Sequence, residues 1–136
     1  MGAFTHASTA RPSRFCRGDF GVWYCGDRWK VALAETAYHF ERFMRSTHEP
    51  AGQADLRELT CSVAGQLHDI RDNPAFAAQH DPNSWTAGQE TGHAVHAVNG
   101  DGVVYHSVRW PGGLAAALFW PDLVKQIGRA SCRERV

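Results

Sequence analysis

Three polar residues interrupt apolar segments of this 136-residue chain, and they are its first candidates for chemistry: Arg14 in PSRF, Glu35 in ALAETAYHF and Ser107 in DGVVYHSVRWPGG. A polar group among apolar neighbours is costly to bury unless it is paired or used. Together the three supply a cation, a carboxylate and a hydroxyl. Those groups suit an anionic substrate that reacts at a sugar. Arginine's planar fork makes bidentate phosphate contacts that lysine does not reproduce. A partly buried carboxylate has a raised pKa unless donors or cations hold it ionised. Such groups concentrate at functional sites.

Pattern alone leaves a second reading open for each residue. Glu35 also reads as an exposed helix carboxylate paired with His39 at i+4. Arg14 also reads as a surface arginine, with Arg11 and Arg17 nearby, and Ser107 as a structural strand serine. Tyr105 and Ser107 share a strand face by the period of two, and His106 faces the other way. A His106–Ser107 nucleophile pair is therefore geometrically poor. There is no GxSxG frame. His93 and His96 form HxxH without the HExxH frame, so solvent-facing or capping histidines are expected and no metal site. The glycines of GDGVV and PGG read as turns, not as a phosphate loop.

These residues need elements to position them. FGVWYC at 20–25 reads as a strand, ended by Gly26 and Asp27, and Asp27 is a candidate cap for the next helix. From Lys30 to about Arg45 the apolar residues Leu33, Ala37, Phe40 and Met44 form one helical stripe. Glu35 lies off that stripe and shares a face with Val31, His39 and Arg42. Residues 56–67 alternate as an extended segment, and RDNP is a turn. A second helix is expected within NSWTAGQETGHAVHAVNG, capped by Asn83 or Ser84 and closed by Gly100. GVVYHSV is a strand, WPGG a turn and LAAALFW a third strand or buried segment. This order predicts an α+β domain with one twisted mixed sheet and flanking helices.

Composition narrows the function. With 43% hydrophobic residues one core can form, and the formal charge of zero gives no basic footprint for nucleic acid. No apolar run approaches a membrane span, and MGAFTHASTARP lacks the pattern of a signal peptide. A cytoplasmic protein is expected. Cys16, Cys25, Cys61 and Cys132 form no CxxC and read as free thiols. IGRASCRERV, residues 127–136, breaks from the preceding pattern and matches, residue for residue, one reading frame of a common sequencing adapter. The expectation is a domain spanning 1–125, shortened at both ends, with 126–136 as adapter read-through.

The motifs converge. SRF, then FGVWY, ALAETAYH, DGVVYHSVRWPGG and ALFWPD resemble, in that order, the RES domain family, whose name comes from an arginine, a glutamate and a serine. WTAGQ and DLV fit the same series. The resemblance maps those three onto Arg14, Glu35 and Ser107, and adds Tyr24 as an aromatic of the site. It implies a fold like that of ADP-ribosyltransferases, and NAD-consuming toxins of bacterial toxin–antitoxin systems. NAD is then the substrate, cleaved by phosphorolysis, hydrolysis or ADP-ribosyl transfer, with no metal. The implied partner is an antitoxin with a helix-turn-helix part that blocks the NAD pocket. In that frame Arg14 neutralises the diphosphate and Glu35 stabilises the developing ribosyl cation. Tyr24 stacks on the nicotinamide or an adjacent ring, and Ser107 holds ribose or amide. Arg109 is a further phosphate or acceptor contact, and His39 orients Glu35. The alternative is a catalytically silent module of the same fold that binds a nucleotide or an antitoxin.

Overall fold

A computed structural model describes residues 2–6, 12–46 and 53–135, with backbone only for 2–6, 36, 39–40, 42–46, 53–60 and 126–135. Strand β1 is Gly2–His6, β2 Val22–Gly26, β3 Gln53–Val63, β4 His68–Asp69, β5 Gly102–His106, β6 Leu114–Leu118 and β7 Val124–Arg135. Helix α1 is Trp29–Ser46 and α2 is Thr86–Ala97. The strands make one seven-stranded sheet in the order β4-β5-β6-β2-β1-β3-β7. Only the β4–β5 pairing is parallel. The expected α+β architecture with a mixed sheet is what the chain forms.

The period of two sorts the sheet's side chains into two cores. Tyr24, Val103, Tyr105, Ala115 and Ala117 face one side, where they meet Val31 of α1, Val95 of α2 and Phe15. Both helices therefore cover that face. Cys25, Cys61, Ala116 and Leu118 face the other side, against Val63, Leu67 and Leu123. Phe15 is fully buried, which contributes about 2 kcal/mol of apolar transfer free energy. Cys16, Cys25 and Cys61 are buried and stand outside any disulfide, and burial pushes the Cys25 thiol up to about 12.

Two local expectations come out differently. Asp27 does not cap α1: its Oδ1 accepts the Leu114 N–H at 3.2 Å, and its own N–H donates to the Leu114 carbonyl. The aspartate ties β2 to β6 instead. Helix α2 begins after Trp85, not Asn83 or Ser84, although Ser84 Oγ accepts the Thr86 N–H at 3.4 Å. Residues 126–135 continue β7 from Val124, pairing as far as Arg135 with Gln53. Backbone pairing along an open strand edge requires no particular side chains.

Candidate active site

Arg14 is held from two directions. Its backbone lies in a tight turn closed by the Ser13 N–H to the Cys16 carbonyl at 2.8 Å. The Tyr24 hydroxyl bonds Ser13 Oγ at 2.6 Å and accepts the Phe15 N–H at 3.1 Å, so both neighbours of Arg14 are fastened to β2. On the opposite side Gln89 Nε2 of α2 donates to the carbonyls of Ser13 and Cys16. The guanidinium is directed by backbone: Nη1 donates to the carbonyls of Gln79 and Asp81 at 3.1 and 2.8 Å. Arg14 is only 5% exposed. Burial lowers its pKa, opposed by Tyr105 and Glu35. The arginine is therefore a buried charge, not a surface one.

Glu35 projects from α1 and is half-buried. Its Oε1 accepts the Ser107 hydroxyl at 3.0 Å. Burial lifts the carboxyl above its ordinary range. The Ser107 hydrogen bond, the charges of Arg14 and Arg109 and the Arg109 backbone N–H act the other way. Ser107 itself is buried at the end of β5, and its N–H reaches the Gly113 carbonyl at 2.9 Å. Its Oγ also accepts the Trp110 N–H at 3.1 Å, which folds the following turn back on the serine. The hydroxyl thus donates to the carboxylate and accepts from the turn.

The structure brings Arg14, Glu35, Ser107 and Arg109 into one electrostatic group. Arg109 lies with its guanidinium carbon 3.4 Å from the centroid of the Tyr38 ring, and its Nη2 donates to the Pro82 carbonyl at 2.9 Å. It bridges α1 to the loop that directs Arg14. The His39 side chain lies outside the described residues. Tyr24, expected to stack on a substrate ring, has its ring in the core and its hydroxyl bonded to the turn that carries Arg14. Burial raises the Tyr24 phenol well above its ordinary pKa, keeping it a neutral hydroxyl.

Sequence reasoning missed three groups here. Tyr105 is 2% exposed, with burial and the nearby Glu35 raising its pKa. The period of two, which already put it on Ser107's face, was the available signal. The Gln79 and Asp81 carbonyls had no sequence signal, because every residue carries one. The third is a cavity of about 500 Å³ beside Ser107, lined also by Asp72, Asn73, His80, His106 and Val108. The HxxH pair is structural: His96 stacks on Phe20 and Trp120 at 3.9 and 4.8 Å, and His93 lies 3.6 Å from Asp19. Among the described residues no group of three or more His, Cys, Asp or Glu could hold a metal ion.

A half-buried carboxylate fixed by a hydroxyl and flanked by two guanidiniums can stabilise a transient cation at a substrate whose anionic part is held nearby. The model of the RES domain matches residues 1–132. The chain belongs to the RES domain family. Among solved structures, this RES domain is similar to a chain in the crystal structure of the M. tuberculosis MbcT–MbcA toxin–antitoxin complex. The TM-score is 0.57 at 15% identity, covering 96% of this chain and 87% of that one, a likeness of fold. No curated protein matches the chain. Among the described residues no helix is long and apolar enough to cross a membrane.

Proposed function

We propose that this RES domain consumes NAD by breaking the bond between nicotinamide and ribose, and acts as the toxin of a toxin–antitoxin pair in the cytoplasm. The observation that carries the reading is the Glu35 carboxylate, fixed by Ser107 at 3.0 Å and acted on by Arg14 and Arg109. Nicotinamide in NAD is already a cationic leaving group, so its departure requires little acid catalysis. The ribose left behind becomes oxocarbenium-like, as in glycoside hydrolysis. Glu35, held close to it, stabilises that charge without reorganising. Arg14 offers the diphosphate the part of its fork that the two carbonyls leave over, and Arg109 is the second cation. Ser107 keeps Glu35 aimed and favours its ionised form.

Phosphate, water or a protein side chain then receives the ADP-ribosyl group. Membership of the RES family supports NAD as substrate, and the fold likeness to a toxin–antitoxin complex supports an antitoxin partner. A partner with a helix-turn-helix part that covers the site would silence it. The test is made in cells. Inducing the chain in a bacterium should collapse the NAD pool, measured by mass spectrometry, before growth stops. Co-expressing a small open reading frame adjoining its gene should restore both. Growth arrest with an undiminished NAD pool would contradict the reading, and NAD binding without loss of NAD would point to a silent binding module.

A further inference from the structure

The two arginines of the site are anchored on neighbouring peptide groups. Arg14 Nη1 donates to the Asp81 carbonyl at 2.8 Å, and Arg109 Nη2 to the Pro82 carbonyl at 2.9 Å. Successive Cα atoms are about 3.8 Å apart, so two like charges are crowded together. Like charges at short range repel, and the charge of Arg109 accordingly lowers the Arg14 pKa. Arg14 is buried, whereas Arg109 is half-buried. A long, partly exposed side chain relieves such repulsion by turning its head out to water. Keeping Arg109 in the site therefore requires a counterweight. Tyr38 supplies one. The guanidinium carbon lies 3.4 Å from the centroid of its ring, the distance of a flat stack. A guanidinium laid on an aromatic face keeps its N–H edges for acceptors in its own plane, such as a carbonyl or a phosphate. Tyr38 follows Glu35 by three residues on α1, so both lie on one side of the helix. One helix thus carries the carboxylate and the ring under the second cation.

We propose that Tyr38 is a positioning residue: its ring face holds the Arg109 guanidinium beside Arg14 and so completes the anion site for the diphosphate of NAD; the inference rests on the NAD-cleavage reading above. Tyr38 acts through Arg109, not on the bond that breaks. The diphosphate keeps its charge throughout the reaction, so the pair of cations binds ground state and transition state alike. Loss of such uniform binding raises KM and leaves kcat in place. The ring face is the working part, because it is what the guanidinium lies on.

The test measures nicotinamide release from NAD by the full chain and by its Tyr38→Leu, Tyr38→Phe, Arg109→Gln and Y38L/R109Q variants. In Y38L the KM for NAD should rise about 3- to 30-fold, with kcat within about threefold of the parent. Y38F keeps the ring and should recover most of that loss. R109Q should raise KM at least as far as Y38L does. Adding Y38L to R109Q should raise it no further, since the ring then has no guanidinium to hold. A Y38L variant with the parent's KM would overturn the inference while leaving NAD cleavage standing. So would a Y38F variant no better than Y38L, or single effects that multiply in the double variant. No nicotinamide from the unsubstituted chain would overturn both. Should Y38L fail to fold, NMR of the unsubstituted chain replaces it. The Arg109 side-chain protons over the ring should be shifted upfield by its ring current, and resonances at their ordinary positions would overturn the inference.

Discussion

Glu35 answers to two opposed forces. Burial favours its neutral form, while Ser107, Arg14 and Arg109 favour the carboxylate. Burial prevails, so the folded-state pKa lies above the unfolded value. The folded chain then holds this proton more tightly than the unfolded one. The stability Glu35 contributes is full below the unfolded pKa and is lost as pH rises through the folded pKa. Activity runs the opposite way, because the ionised form is the one that stabilises a cation. Ser107 sits at the balance point. In Ser107→Ala the donor that lowers the Glu35 pKa is gone, so the acid limb of kcat should move to higher pH. The lost partner for the Trp110 N–H should lower stability by about 1 kcal/mol. A limb that stays in place would mean that Ser107 does not govern Glu35. Arg14, Glu35 and Ser107 were legible because polar residues in apolar runs are conspicuous. The bond from Ser107 to Glu35 spans 72 positions and leaves no local pattern. For the same reason the two bonds that the Tyr24 hydroxyl makes around Arg14 have no sequence signal.

Helix α2 sets the arginine through its glycines. A Cβ on Gly88 would stand 2.3 Å from the Arg14 carbonyl oxygen, and one on Gly92 only 2.0 Å from that of Phe15. Such separations require hydrogen at both positions. Gly92→Ala should therefore destabilise the fold by about 2–3 kcal/mol, the usual magnitude of overpacking. That outcome opposes the gain of up to about 1 kcal/mol that alanine gives an exposed helix position. A thermal melt measures the difference, and a Gly92→Ala variant as stable as its parent would contradict the close approach. The helices and the strands β2, β5 and β6 were legible from period and composition. Their caps were less so: Asp27 has the right chemistry to cap α1 but binds Leu114 of β6, because a strand edge offers both a donor and an acceptor. Strand β4 has two residues and pairs in parallel with β5, too little sequence to carry a period.

At the scale of the molecule, one sheet face carries both helices and the site. Arg14 precedes β2, Glu35 rides on α1, and Ser107 directly follows β5. The three meet because β5, β6 and β2 are adjacent in the sheet while α1 lies over β2 and β6. The α+β class was legible in the alternation of periods; the strand order was not, because it depends on long-range pairing. The cavity at His80 and His106 was equally hidden, since it joins the turn after β4 to the end of β5. The central claim is that Glu35 is the catalytic carboxylate of an NAD-cleaving site. Release of nicotinamide from NAD by the purified chain and by its Glu35→Gln variant tests it most directly. The unsubstituted chain should release nicotinamide, and the variant should be slower by about 10² to 10³-fold. The variant should melt no lower than its parent, since its neutral amide avoids the desolvation that burial imposes on a carboxylate. Equal rates of nicotinamide release from the two proteins would contradict the account.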